Sequence, residues 1–126
     1  LVVGPKDSAA LKQLYSQARC FISLSRHEAF GLVMAEAMAC YTPVIASQTD
    51  GAAEQLTAAG QNGLLIAQQD DEPRFLSLFS AALTQFFAQT PEQYQQMQQQ
   101  CRASAEQYLL GQVVIELQQL YQDILV

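Results

Sequence analysis

Four short apolar runs, LVV at 1–3, CFISLS at 20–25, PVIAS at 43–47 and GLLIA at 63–67, punctuate the first half of this 126-residue chain. None alternates cleanly between apolar and polar residues, which is how strands covered on both faces read. Helical patterns lie between them. The first starts with Asp7 or Ser8 as cap and places Leu11, Leu14, Tyr15 and Ala18 at i, i+3, i+4 and i+7. The second occupies EAFGLVMAEAMAC, and the third, GAAEQLTAAG, is closed by Gly60. Such alternation implies right-handed crossovers and a parallel sheet. The expected fold is α/β, a three-layer sandwich of which the chain holds part.

After Ala67 the character changes. Asp70 or Asp71 offers a cap just before Pro73, and Phe75, Leu76, Leu78, Phe79, Leu83 and Phe86 are expected on one helix face. A second helix begins at TPEQ, with Thr90 as cap, Pro91 as first helical residue and Gln93 as capping-box partner. The polar run YQQMQQQC keeps a 3–4 spacing through Tyr94, Met97, Cys101, Ala105 and Tyr108, so it reads as a solvated helix with a narrow packing seam. A last helix is expected beyond Gly111, with Val114, Leu117, Leu120, Tyr121 and Ile124 as its stripe. The expected organisation is one partial domain over 1–126, an α/β core at 1–70 followed by helices at 71–126.

Hydrophobic residues make up 50% of the chain, enough for a real core at this length. Twelve acidic residues face six basic ones, and Lys6, Lys12, Arg19, Arg26, Arg74 and Arg102 are scattered, so nucleic acid is not expected as a partner. Cys20, Cys40 and Cys101 are odd in number and show no metal-type spacing, which points to buried thiols in a reducing compartment and no bound metal. No apolar run reaches the roughly 18–20 residues of a membrane-spanning helix. The chain opens inside what reads as a strand, so it is expected to be a piece of a longer protein.

The stretch SRHEAFGLVMAEAMAC carries the chemistry. A helix starting at the carboxyl end of a parallel strand aims free N–H groups into the crevice where such folds bind ligands. Gly31 has no Cβ to keep an anion from the amides of Phe30, Gly31 and Leu32. Glu36 stands among Val33, Met34, Ala35, Ala37 and Met38, where an acid is costly unless hydrogen-bonded or facing a ligand cleft. A ribose presents two adjacent hydroxyls suited to one carboxylate. If one helix held both Glu28 and Glu36, they would lie roughly 12 Å apart along its axis and about 80° apart around it, at two ends of one extended ligand.

The ordered set EAFGLVMAE, AMAC, TPVIAS, Glu54 and GQNGLLIAQQDD resembles the C-terminal, donor-binding domain of retaining GT-B glycosyltransferases of family GT4, over most of the chain. The resemblance implies a Rossmann-like domain, of which this is the second part, that binds a nucleotide-sugar donor as substrate, with no cofactor and no metal. Glu28 would approach the transferred sugar as the catalytic residue. The amides of Phe30, Gly31 and Leu32 would hold phosphate or sugar oxygens, Glu36 the ribose, and the turn at Gly4, Pro5 and Lys6 would lie beside the nucleobase. It further implies an acceptor glycan or glycolipid bound by a preceding N-terminal domain, and a cytoplasmic parent protein associated peripherally with the inner face of a membrane. Polysaccharide or lipid-linked glycan assembly is the family's commonest setting.

Departures from the pattern bear on this. Tyr41 stands where CGTPVI usually has Gly, so a left-handed backbone there would strain a non-glycine residue. The usual GGIPE reads Asp50-Gly51-Ala52-Ala53-Glu54. The family's earlier strands, with an Arg and a Lys that neutralise the diphosphate, are not in this chain. At net −6 it is expected by itself to bind a nucleotide sugar poorly and not to turn it over. His27 reads as loop polarity, Cys40 as a packed thiol and Arg26 as surface solvation. The alternatives are a non-catalytic GT-B module serving binding or assembly, and an unrelated doubly wound domain. The latter is disfavoured because no GxGxxG follows a strand and no acidic phosphoacceptor cluster is visible.

Overall fold

The computed structural model describes residues 4–57, 59–108 and 118–119; the LVV run and the stripe of the last expected helix lie outside these. In chain order the elements are α1 (Ser8–Gln17), β1 (Phe21–Ser23), α2 (Leu32–Ala39), β2 (Val44–Ser47), α3 (Asp50–Gln55), β3 (Gly63–Ile66), α4 (Glu72–Phe87) and α5 (Pro91–Glu106). The three strands form one parallel sheet in the order β1-β2-β3. Ile45 pairs with Ile22 on one side and Leu64 on the other. All four residues of β2 are buried, as a central strand covered on both faces requires. The α/β class expected from the four apolar runs is the one observed.

Local chemistry sets the helix starts. Asp7 Oδ1 accepts from the Ala10 amide at 2.8 Å and Asp71 Oδ2 from Arg74 at 3.0 Å. At α5 the capping box is complete: Gln93 N donates to Thr90 Oγ1 at 3.2 Å, and Thr90 N to Gln93 Oε1 at 2.9 Å.

The helix ends are less regular. α3 stops at Gln55, well before Gly60, because Leu56 turns extended and packs into the core, 3% exposed. The buried amide of Asn62 holds this exit: Nδ2 donates to Gln55 O and Ser104 Oγ, both at 2.9 Å, while Oδ1 accepts from Thr57 N at 2.9 Å. Gly60, at φ +70, closes the turn that follows. At the end of α2, Tyr41 takes the left-handed conformation at φ 62 that the sequence pattern reserves for glycine. Gln98 Nε2 donates to its carbonyl at 3.2 Å, tying this strained turn to α5.

The core runs from Met34 and Met38 of α2 through Val44, Ile45 and Ala46 of β2 to Phe86 of α4 and Met97, Cys101 and Ala105 of α5. The last two helices are therefore part of one core with the sheet. Phe86 meets Tyr94 edge-to-face at 5.9 Å between centroids. The Cys101 thiol donates to Asn62 O at 3.0 Å, and burial pushes its pKa up to about 12. The expected α4 face is narrower than its sequence suggests. Leu76 and Leu78 are exposed; Phe75, Phe79 and Leu83 are half-buried against the core, and Phe86 is buried.

Candidate functional site

The carboxyl ends of the three parallel strands release loops on one side of the sheet, and the site is built there. Ser47, the last residue of β2, donates through Oγ to Ser25 O in the loop after β1. From beyond β3, Gln68 Nε2 donates to Ser25 O at 3.2 Å and Arg26 O at 3.4 Å. The loop leading to α2 is thus held from the end of β2 and from the segment that follows β3.

α2 begins at Leu32, not before Glu28. Gly31 is its cap residue, at φ 79, and supplies no side-chain cap. A Cβ at Gly31 would overlap Met34 Cε and come within 2.9 Å of Glu28 Cγ, so both backbone conformation and space require glycine. Glu28 consequently lies in the turn before the helix, and the helical-wheel separation expected for Glu28 and Glu36 does not apply.

The turn is fastened to α3 through its carbonyls. Gly51 N donates to Glu28 O at 3.0 Å, and Gln55 Nε2 donates to Phe30 O and to Gly31 O, the latter at 3.3 Å. A Cβ at Gly51 would overlap the Phe30 backbone, which explains why α3 comes this close. Gln55 is 2% exposed and its Oε1 has no donor, a burial that costs on the order of 1–3 kcal/mol. The Phe30 ring packs edge-to-face on Tyr108 at 5.1 Å. By contrast, the amides of Phe30, Gly31, Leu32 and Val33 donate to nothing among the described residues. These are the orphan donors of a helix N-terminus, carrying about half a positive charge.

One cleft borders this turn and a second lies further along α2. One, of about 370 Å³, is lined by Arg26, His27, Glu28 and Ala29 from the β1 loop and by Gln48, Thr49 and Asp50 from the β2 loop. Glu28 is half-buried there. The other, of about 320 Å³, lies between α1, α2 and α5, and includes Lys12, Tyr15, Glu36, Cys40 and Arg102.

Glu36 is exposed, on the same outward side of α2 as Leu32 and Val33, while Met34, Ala35, Ala37 and Met38 turn inward. A mid-helix acid is tolerated because it faces this cleft, not the core. Its Oε2 accepts from the Tyr15 hydroxyl at 3.4 Å. Burial, then the nearby Glu36 charge, raises the Tyr15 pKa above its ordinary value. Thr42 fixes α1 in place, its Oγ1 donating to Tyr15 O at 2.6 Å.

The structure therefore gathers Glu28, Phe30, Gly31 and Leu32 at one turn, and places Glu36 one helical turn beyond it in a separate cleft. Gly4, Pro5 and Lys6 are exposed ahead of α1 and line neither cleft, although Ser8 of the following turn lines the second. Sequence reasoning missed Gln55, Tyr15 as a partner of Glu36, and Asp50 as a wall of the Glu28 cleft. The signal for Gln55 was its place one turn after Gly51 and Ala52, on the buried face of α3. No group of three or more His, Cys, Asp or Glu that could hold a metal occurs among the described residues.

Comparisons with known proteins place this geometry in a family. The glycosyl transferases group 1 family matches residues 1–103. The D-inositol 3-phosphate glycosyltransferase of Gordonia bronchialis is 32% identical over 104 residues, covering 82% of this chain and 21% of the relative. A D-inositol 3-phosphate glycosyltransferase 2 of Catenulispora acidiphila is 41% identical over 68 residues, 54% of this chain and 16% of the relative. Among solved structures, the sucrose-phosphate synthase of Thermosynechococcus elongatus superposes with a TM-score of 0.78 at 29% identity, covering 98% of this chain and 29% of that one. A GtfA/B complex superposes at 0.80 with 26% identity, covering 90% of this chain and 23% of that one. The chain spans less than a third of the length of these relatives. It belongs to the glycosyl transferases group 1 family, as part of a GT-B domain.

Proposed function

We propose that this chain is the donor-binding part of a retaining GT4 glycosyltransferase that moves a sugar, of hexosyl type, from a nucleotide-sugar to a glycan or lipid-linked acceptor. The observation that carries the reading is the turn at Glu28–Leu32. Its carbonyls at Glu28, Phe30 and Gly31 are bound by α3, while the amides of Phe30, Gly31 and Leu32 have no protein acceptor among the described residues. A diphosphate seated on these amides gains charge-assisted hydrogen bonds and the helix dipole together. The transferred sugar then extends into the cleft of Glu28, Gln48 and Asp50, and the ribose toward Glu36.

In this arrangement Glu28 faces the sugar at the reaction centre, where its carboxylate stabilises the positive charge that develops as the glycosidic bond to phosphate breaks. Glu36 accepts from the ribose hydroxyls. Gly4, Pro5 and Lys6 precede the helix bordering the Glu36 cleft, which fits a place beside the nucleobase. With net charge −6, the chain by itself binds the donor weakly and is not catalytically competent. The parent protein is proposed to act in the cytoplasm, at the inner face of a membrane, in polysaccharide or lipid-linked glycan synthesis, with no metal or cofactor.

The test is a screen of UDP-, GDP- and ADP-sugars against the full-length protein by thermal shift, followed by transfer assays on Glu28→Gln. The expected result is stabilisation by one nucleotide class, and loss of transfer in the variant with nucleoside diphosphate binding retained. Equal turnover in the variant would overturn the role of Glu28.

A further inference from the structure

The second donor group that α3 offers the turn, after Gly51 N, belongs to a buried side chain. Gln55 is 2% exposed, its Oε1 is unpaired, and its Nε2 serves the carbonyls of both Phe30 and Gly31. An aliphatic side chain of similar size would fill the same space without burying an orphan oxygen, so what Gln55 adds is its donors. The amide's orientation is set by those partners, since the reverse would turn its oxygen on two carbonyls.

Peptide planarity converts this into control of the site. In a trans peptide the C=O and the following N–H point in opposite directions. Holding Phe30 O against Gln55 therefore aims the Gly31 amide away from α3, and at Gly31 O, which also accepts from Met34 N at 2.9 Å, Gln55 acts together with the first turn of α2 on the Leu32 amide. The Gly51 contact to Glu28 O likewise aims the Ala29 amide away from α3. The left-handed Gly31 has no side chain of its own to define the turn; α3, together with Met34 N on Gly31 O, supplies the definition.

We propose that Gln55 is a positioning residue that orients the Gly31 and Leu32 amides toward the donor diphosphate. The ligand in this statement rests on the donor-site reading above; the positioning itself does not.

The experiment uses the full-length protein and the variants Gln55→Leu and Gln55→Glu, with two readouts. Affinities for UDP, GDP and ADP are compared with those for the parent nucleosides. Gln55→Leu is expected to weaken the preferred diphosphate about tenfold while leaving its nucleoside nearly unchanged, a split that general loosening of the fold does not produce. Gln55→Glu is expected to lose more at about pH 8, where an ionised carboxylate faces two carbonyls, and to recover in part near pH 5, where a protonated one donates to one of them. Parallel loss for diphosphate and nucleoside, or no loss, would overturn the proposal.

The second readout is the residual dipolar couplings of the Gly31 and Leu32 N–H vectors, which report their orientation and are expected to change in Gln55→Leu while those of α5 stay as in the native protein. Unchanged couplings there overturn the positioning role. If the native protein binds no nucleoside diphosphate, the donor-site reading fails, and this second readout alone decides the role of Gln55.

Discussion

The Tyr15 hydroxyl reaches from α1 to Glu36 Oε2 in α2 across 3.4 Å, so the one acid in the middle of an apolar helix is tethered across the cleft it lines. This relationship gives Glu36 a defined direction. Replacing it by Gln keeps an acceptor but removes the charge. Hydrogen bonds to charged groups contribute about 1.5–3 kcal/mol against about 0.5–1.5 for neutral ones. Glu36→Gln in the full-length protein is therefore expected to weaken nucleoside diphosphate binding about tenfold with little change in fold stability. Unchanged affinity by calorimetry would remove Glu36 from the site and favour a non-catalytic module.

Gly31 and Gly4 share a positive φ but not a surrounding. At Gly31 a Cβ meets Met34 and Glu28, whereas at Gly4 nothing lies within 4 Å. Gly4→Ala should cost about 1 kcal/mol, the conformational strain alone. Gly31→Ala should cost more than about 2 kcal/mol and disturb the turn, because overpacking adds to the strain. Urea denaturation of the two variants gives the comparison.

Tyr41 carries the same left-handed strain without glycine's freedom, at φ 62. Tyr41→Gly relieves about 1–2 kcal/mol of strain and returns about 0.5–1 kcal/mol as lost backbone restriction. The Arg102 guanidinium stands 6.0 Å from the ring centroid, too far to shift that balance much. The variant should be as stable as the native chain or up to about 1.5 kcal/mol more so, while Tyr41→Val should be destabilised in the same denaturation experiment.

Cys101 predicts an alkaline dependence. Burial raises its pKa from 9.0 to about 12, so folding holds the thiol protonated. The stabilisation is present in full below pH 9 and is lost as pH rises from there through the folded value. Between about pH 8 and 10.5 the native protein should lose about 2 kcal/mol through this group that Cys101→Ala does not lose. Denaturation midpoints at the two pH values test the sign.

Much of the fold was legible because its signals are local. Three of the four apolar runs became β1, β2 and β3, the LVV run lying outside the described residues, and the caps at Asp7, Asp71 and Thr90 are where side chains suited to capping stood before apolar periodicity. The anomaly of Tyr41 was legible too, from a glycine expected and not found. What was not legible depends on distant partners. Gln55 and Asn62 are polar residues of ordinary surface type, and only the tertiary structure reveals them as buried amides bridging separate segments. The length of α3 was overestimated because Leu56 leaves the helix to reach the core, a choice that Gly60 alone does not encode. At the site, the local sequence singled out Gly31 and Glu36 and the family resemblance Glu28, but neither indicated the start of α2 at Leu32, which separates the two acids into a turn and a helix face.

The proposed function turns on a donor diphosphate seated on the amides of Phe30, Gly31 and Leu32. Its most direct test is an NMR titration of full-length protein, labelled with 15N at Phe, Gly and Leu, with the nucleoside diphosphate that the screen selects. The expected result is that the Phe30, Gly31 and Leu32 amide resonances shift downfield in saturable fashion, and that the parent nucleoside moves them far less. Saturable binding that leaves those three resonances in place would contradict it.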